Sequence, residues 1–208
     1  MADIPWILFI AASLAVIIAP GQDLILVMSR GLGQGSKAAV FTAAGVSTGL
    51  MGHTLLATFG LGALLVASET AFTVLKVIGV AYLVYLGVRL VLSGADRLDV
   101  QTSSARSHPR LFLQGALSNL SNPKVTLFYF AFLSQFVPAG METPTFAIFV
   151  LGALFALLTL LIKAPFGYFA GTLSNWFQGH PRTLTWMFRS SGLSLIGLGV
   201  LLAFENRD

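Results

Sequence analysis

Long runs of apolar residues, separated by short polar segments, dominate this chain of 208 residues. A helix needs about 20 apolar residues to cross the hydrocarbon core of a bilayer, because each residue advances it by about 1.5 Å. Six runs reach or approach that length. We therefore predict an all-α membrane protein with six transmembrane helices, over residues 4–28, 38–67, 71–92, 111–137, 146–170 and 188–204.

Two of these runs contain residues that break helices. The first run holds Pro20 and Gly21, and the fourth holds Asn122 and Pro123. A proline removes one intrahelical hydrogen bond and frees the carbonyl four residues earlier, which for Pro123 is that of Asn119. Glycine permits backbone conformations that are closed to other residues. We predict that the first and fourth transmembrane helices are each broken inside the membrane.

Charge differs between the two sides of the predicted membrane. The first, third and fifth loops are basic, whereas the other loops and the N-terminus hold Asp3, Glu69 and Glu142 and no basic residue. Basic loops face the cytoplasm in most membrane proteins, so both termini are predicted to lie outside. The basic residues in or beside the first, third and fifth loops are Arg30, Lys37, Arg89, Arg97, Arg106, Arg110, Arg182 and Arg189.

The longest polar segment divides the chain into two halves. Residues 93–110 form a predicted cytoplasmic linker between a first three-helix repeat, 1–92, and a second, 111–208. Because each half crosses the membrane an odd number of times, the halves would insert in opposite senses as inverted repeats. Broken segments at matching positions of two inverted halves are the sequence pattern typical of a transporter site.

The amino-acid composition excludes several classes of function. The chain is 56% apolar and 10% charged, and its mean hydropathy is +0.84. It has no cysteine, which excludes a disulfide framework or a thiolate metal site. The net charge of +4 resides in loops that set orientation, so no nucleic-acid partner is expected. No nucleophile elbow, phosphate loop or paired-carboxylate spacing is present, so we predict neither an enzyme nor a cofactor.

Polar residues at the two breaks form the predicted substrate site. A lysine at the bilayer centre costs about 2.5 to 3.5 kcal/mol, so Lys124 is unexpected in a passive anchor. Asp23 is either a helix cap, favoured by the helix dipole, or a functional carboxylate that pairs with Lys124. The predicted substrate-binding residues are Pro20, Gly21, Gln22, Asp23, Asn122, Pro123 and Lys124.

Proton coupling requires a group that titrates. Asp23 and His53 are the candidates, although a neutral His53 bonded to a neighbouring helix is an equal alternative. The secondary candidates are Lys163, as an ion-pair partner or an interfacial cation, Lys76, mainly structural, and Tyr82 and Tyr85, as a polar lining or an interfacial belt.

Glycines in the second run favour close helix packing. Gly45 and Gly49 have the small-xxx-small spacing that lets two helices approach in lipid. The same face would permit a homodimer.

Several stretches, in this order and spacing, resemble a bacterial amino-acid exporter family that includes the lysine exporters and the homoserine/threonine efflux proteins. They are Ala19-Pro20-Gly21-Gln22-Asp23, Gly45-Val46-Ser47-Thr48-Gly49 with His53, residues 75–87, and Asn122-Pro123-Lys124-Val125. The resemblance covers nearly the whole chain. It implies export of amino acids from the cytoplasm, driven by the proton gradient, through six spans in two inverted halves.

Three positions depart from the family pattern. Gln22 stands where the family usually has a second proline, Ser134 stands where it usually has a proline before Gln135, and Lys163 is not part of the pattern. Gln22 adds an amide to the broken region and leaves the break itself in place.

These observations predict a secondary transporter of the bacterial inner membrane. It would export amino acids or close derivatives by alternating access, with protons and the lipid bilayer as its other partners. One alternative is a divalent metal or other cation exporter, which would need more carboxylates or histidines than Asp23 and His53, so no metal site is predicted. Another is a non-transporting membrane assembly protein, which would leave the polar helix breaks without a purpose.

Overall fold

The computed structural model describes residues 4–19, 21–92, 106–138, 141–170, 172–173, 176 and 180–205. All regular secondary structure in these residues is helical. The eight helices with full bounds are α1 (Trp6–Ile18), α2 (Gln22–Gln34), α3 (Ser36–Ala67), α4 (Glu69–Leu92), α5 (His108–Leu120), α6 (Pro123–Gln135), α7 (Pro144–Tyr168) and α8 (Pro181–Glu205). Predictions that concern Asp3, Pro20, Arg97 and the linker residues 93–105 lie outside the described residues.

Four of the helices are long and apolar enough to cross a membrane. Their apolar segments are Ser36–Gly62 in α3, Thr73–Leu92 in α4, Pro144–Tyr168 in α7 and Thr185–Phe204 in α8. The pair α1 and α2, bent by 54°, forms a fifth candidate span. Helices α5 and α6 have 13 residues each, about 20 Å of helix, and are too short to cross alone. The structure thus supports four to five spans, and the sixth stays a prediction.

Both predicted helix breaks are present. Helix α1 ends at Ile18 and α2 begins at Gln22, while α5 ends at Leu120 and α6 begins at Pro123. The prediction of a special conformation at Gly21 is wrong, because its φ of −142° and ψ of −179° are extended. Residues other than glycine adopt such a conformation readily, so Gly21 is not needed there to relieve backbone strain.

The glycines of α3 allow this helix to pack closely against α5. A Cβ at Gly45 would overlap the carbonyl oxygen of Phe112, and one at Gly49 would lie 2.8 Å from that of Ala116. The reverse holds at Gly115 of α5, where a Cβ would overlap the carbonyl of Thr42. The predicted close packing is confirmed. Since α5 occupies this face within the chain, the face no longer supports the prediction of a homodimer.

Aromatic side chains fix α6 among its neighbours. Phe132 of α6 is fully buried, and its ring centroid lies 5.7 Å from that of Phe9 in α1 and 5.6 Å from that of Phe155 in α7. Tyr129 donates a hydrogen bond of 2.7 Å to the carbonyl of Gly152 in α7. Aromatic pairs at these distances stabilise packing by about 0.5 to 1.5 kcal/mol each. This core holds α6 in place, and the second helix break lies at the N-terminal end of that helix.

Helix α3 lies at the centre of the remaining contacts. It packs along α5 on one side and along α7 on another, and α2 contacts both α3 and α7. Helix α4 packs on α8 and α6. As a result, α2, α3, α5, α6 and α7 surround the two breaks.

Candidate functional site

The two helix breaks lie against each other. Gln22 is the first residue of α2, and Asn122 is the N-cap residue of α6. Asn122 Nδ2 donates a hydrogen bond of 3.1 Å to Gln22 Oε1, and Asn122 Oδ1 accepts from the backbone N–H of Lys124 at 3.0 Å. One asparagine therefore caps its own helix and joins it to the other break.

Asp23 forms an ion pair with Lys163. Lys163 Nζ in α7 lies 3.3 Å from Asp23 Oδ2, and the two side chains are only 10% and 12% exposed. Asn119 Nδ2 donates to the same oxygen at 2.9 Å. Both contacts come from other helices, so the carboxylate of Asp23 is directed across the site toward α5 and α7.

The predicted pair of Asp23 and Lys124 is wrong. Lys124 is exposed, and no ion pair of its ammonium is found among the described residues. In the first turn of α6, its backbone N–H donates to the Asn122 cap. Tyr82 of α4 donates to the Lys124 carbonyl at 3.5 Å, which places Tyr82 beside the second break. Tyr85, one turn along, stacks on Tyr82 and is exposed.

Asn119 joins both halves of the site and is missing from the predicted site residues. It is fully buried in α5, and its side chain binds Asp23. Its carbonyl, which Pro123 frees from the helix, accepts a hydrogen bond from His53 Nε2 at 3.1 Å. Pro123 predicts from the sequence that the Asn119 carbonyl lacks its helical partner. The sequence does not show that the side-chain amide of Asn119 contacts Asp23.

His53 of α3 is fully buried beside the second break. Because a carbonyl can only accept, Nε2 carries the proton that is donated to Asn119. His53 Nδ1 lies 3.4 Å from Thr126 Oγ1, which in turn lies 3.4 Å from the Asn122 carbonyl. In the neutral imidazole, Nδ1 accepts from the Thr126 hydroxyl; in the imidazolium, this hydroxyl is free to donate to Asn122.

Two buried acceptor atoms in this cluster have no partner among the described residues. They are Asp23 Oδ1 and Asn119 Oδ1. A buried polar atom without a hydrogen bond costs about 1 to 3 kcal/mol, so such atoms are few in native structures. Both atoms accept hydrogen bonds, and the arrangement therefore suits a ligand that donates them, such as an ammonium group.

A polar groove of about 920 Å³ leads to the two breaks. It follows one face of α5 from Arg106 and Arg110 to Asn122 and Gln22. The remaining lining residues are Leu113, Gln114, Leu117, Ser118, Ser121 and Pro123. The groove is cationic at one end and carries amide groups at the other, next to Asp23 in the chain.

Lys76 lies away from this cluster. Its ammonium donates a hydrogen bond of 2.8 Å to the carbonyl of Val137, just beyond the C-terminal end of α6, and the residue is buried. Gln135 Nε2 donates back to the Lys76 carbonyl at 3.1 Å. A cation at a helix C-terminus is favoured by the helix dipole, and this contact indicates a structural role.

Replacing Lys76 by methionine should lower stability. The variant leaves the Val137 carbonyl buried without this donor, at a cost of about 1 to 3 kcal/mol. The midpoint of thermal unfolding in detergent should therefore fall, and an unchanged midpoint would contradict the structural role.

Metal-binding groups are sparse. Among the residues that the structure describes, no three His, Cys, Asp or Glu side chains are close enough to hold one metal ion.

Comparison with known proteins adds a family match. The family model described as LysE type translocator matches residues 14–206. The chain is 30% identical to a homoserine/homoserine lactone efflux protein of Salmonella typhimurium, over 95% of each chain. It is 31% identical to an uncharacterized membrane protein of Vibrio cholerae, over 95% of this chain and 96% of the relative. A leucine efflux protein of Klebsiella pneumoniae is 29% identical over 70% of this chain and 69% of its own. No solved structure matches.

Proposed function

Because this chain belongs to the LysE type translocator family, a family of transporters rather than enzymes, we propose that it exports amino acids or close derivatives across the bacterial inner membrane. The named relatives are efflux proteins for homoserine, homoserine lactone and leucine. The single observation that carries the proposal is the buried pair of Asp23 and Lys163 between two broken helices. Charged side chains inside a membrane are costly, so they are rare in membrane proteins that need no polar site.

Asp23, Asn119, Gln22 and Asn122 are the proposed substrate-binding residues. The unpartnered oxygens of Asp23 and Asn119 suit the substrate ammonium. The backbone N–H groups at the start of α2 and α6 provide partial positive charge for the carboxylate, as helix N-termini do at other anion sites. Pro20 and Pro123 are proposed to maintain the breaks that place these groups together, with Gly21 beside the first.

Proton coupling is proposed to involve Asp23 and His53, linked through Asn119. Asn119 binds Asp23 through its side chain and His53 through its carbonyl. Protonation of Asp23 weakens its ion pair with Lys163 and so loosens α2 from α7. Movement of one three-helix half against the other, in two inverted repeats, would then expose the site to each side in turn.

The groove along α5 is the proposed route from the cytoplasm, since its arginines lie on the basic side of the chain. With this orientation both termini face outward. The hydrogen bond between Gln22 and Asn122 at the inner end of the groove is the proposed gate, at the position where the family usually has a second proline.

Neutralising both arginines should weaken substrate uptake into the site. The double change Arg106→Gln and Arg110→Gln removes two exposed cations that attract the substrate carboxylate, so KM should rise severalfold with kcat unchanged. The difference should shrink as the salt concentration increases, because exposed charges are screened beyond about 8 to 10 Å. An unchanged KM at low salt would exclude the groove as the route.

Counterflow in proteoliposomes tests the proposed function. Vesicles loaded with unlabelled leucine or homoserine should accumulate the same labelled amino acid, and a pH gradient should drive net movement. Loading with Mn²⁺ or Zn²⁺ should give no exchange of the metal. Metal exchange without amino-acid exchange would favour a cation exporter, and the absence of both would contradict the proposal.

A further inference from the structure

We infer that Lys163 holds the substrate carboxylate, so that the site selects substrates with both an ammonium and a free carboxylate. This inference rests on the proposed amino-acid export and specifies the substrate class. Lys163 is the residue that the fold places on Asp23.

Charge balance leads to this assignment. Without substrate, Asp23 and Lys163 neutralise each other at 3.3 Å in a site where both side chains are nearly buried. An α-amino acid is a zwitterion, so it can enter between the two groups with its ammonium on Asp23 and its carboxylate on Lys163. Each buried charge then keeps an opposite charge beside it, and the net charge of the site stays at zero.

The unused hydrogen-bond donors and acceptors of the site support the same assignment of Lys163. A lysine ammonium has three donors, and Asp23 Oδ2 is the partner that the described residues give Lys163. Asp23 Oδ1 and Asn119 Oδ1 are acceptors that have no hydrogen-bond partner among the described residues. The carboxylate of a zwitterion accepts a hydrogen bond from Lys163, and its ammonium donates to Asp23 and Asn119. A cation without a carboxylate, such as an amino-acid amide, would satisfy only Asp23 and Asn119 and leave Lys163 unpaired.

The side chain of Lys163 is long enough to open the pair. It extends from α7, whereas Asp23 and Asn119 lie on α2 and α5. Its four-carbon stem has several rotatable bonds, so the ammonium can withdraw from Asp23 while the three helices keep their positions. Asp23, in contrast, is held by Asn119 at 2.9 Å. The lysine is therefore the group that moves to admit the substrate.

Competition with leucinamide tests the inference on the unmodified protein. Leucinamide keeps the ammonium and side chain of leucine and lacks the carboxylate. In counterflow of labelled leucine, it should compete about tenfold more weakly than unlabelled leucine, or worse, because it leaves a buried charge unpaired. Equal competition by the two compounds would overturn the inference while leaving amino-acid export itself intact.

Substitution of Lys163 should remove this preference. In Lys163→Met, leucine should lose affinity and leucinamide should not, so their inhibition constants should converge to within a factor of about three. Lys163→Arg keeps the cation and should keep the wild-type ratio. Lys37→Met, which removes an exposed lysine at the start of α3, is the matched control and should also keep it. A Lys163→Met protein that folds and retains the wild-type ratio would contradict the assignment.

The two hypotheses fail in different ways. If the chain does not transport amino acids, wild-type vesicles show no leucine counterflow. If Lys163 only stabilises the fold, counterflow is present and the preference for leucine over leucinamide is unchanged in Lys163→Met. Equal competition by the two compounds in the wild-type protein overturns the inference even where Lys163→Met yields too little folded protein.

Discussion

Asp23→Asn should reduce amino-acid counterflow by more than about 100-fold, because the proposed ammonium site loses its charge in a nearly buried region. Asparagine has almost the same shape as aspartate, so the loss cannot be attributed to lost volume. The change also leaves Lys163 unpaired, and removing one partner of a buried ion pair costs about 3 to 5 kcal/mol of stability. Residual net efflux should no longer depend on pH if Asp23 carries the coupling proton.

A double variant separates folding from transport in this experiment. Asp23→Asn combined with Lys163→Met removes both charges, so the thermal midpoint should recover relative to Asp23→Asn alone. Transport should not recover, since the proposed ammonium site is still missing. Wild-type pH dependence in the Asp23→Asn variant would assign proton coupling elsewhere, with His53 as the next candidate.

Gly45→Ala should have the largest effect on stability of the glycine-to-alanine changes in α3. The new Cβ would overlap the Phe112 carbonyl of α5, and backbone atoms cannot move aside as a flexible side chain can. Overpacking usually costs about 1 to 3 kcal/mol, and separation of two helix backbones lies at or beyond the upper end of that range. The thermal midpoint of the purified protein should fall sharply, and transport should fall with it because α5 carries Asn119.

Gly197→Ala in α8 provides the control for that substitution. It is also a glycine-to-alanine change within a helix, but nothing lies within 4 Å of the added Cβ. Alanine is favoured over glycine in helices by about 1 kcal/mol, so this variant should unfold at or slightly above the wild-type temperature. Equal effects of the two substitutions would contradict the close packing of α3 on α5.

The helix breaks could be predicted from the sequence because their cause is local. Pro123 cannot donate to Asn119, and Asn122 is a favoured N-cap, so α6 begins where the sequence indicates. The close packing at Gly45 and Gly49 was predictable for the same reason, since the spacing of small residues defines a helix face. The partner of that face was not predictable, and α5 of the same chain proved to occupy it.

The ion pair could not be assigned from the sequence. Lys163 is 140 residues from Asp23, and Lys124, beside the other break, was an equally reasonable partner. The choice depends on where the side chains point once α2, α5, α6 and α7 have packed together. Lys124 is exposed in the first turn of α6, whereas α7 contacts α2 and brings Lys163 onto Asp23.

Asn119 was overlooked because an asparagine within an apolar helix has no distinct pattern. Its importance depends on two contacts with residues far away in the sequence, Asp23 through the side chain and His53 through the carbonyl. The free carbonyl before Pro123 was the available signal. A polar residue that itself carries a proline-freed carbonyl therefore merits inclusion among candidate site residues in other broken transmembrane helices.

Substrate protection of a single thiol is the most direct test of the central claim, that substrate binds between the two helix breaks. The natural chain has no cysteine, so Ser121→Cys places its only thiol in the groove beside the second break. Leucine or homoserine should slow the alkylation of this thiol by a maleimide, and Asp23→Asn in the same protein should abolish the protection. The exposed Thr143→Cys, which precedes α7 and lies outside its membrane span, should react at the same rate with or without amino acid. Alkylation of Ser121→Cys that is unaffected by a transported amino acid would contradict the account.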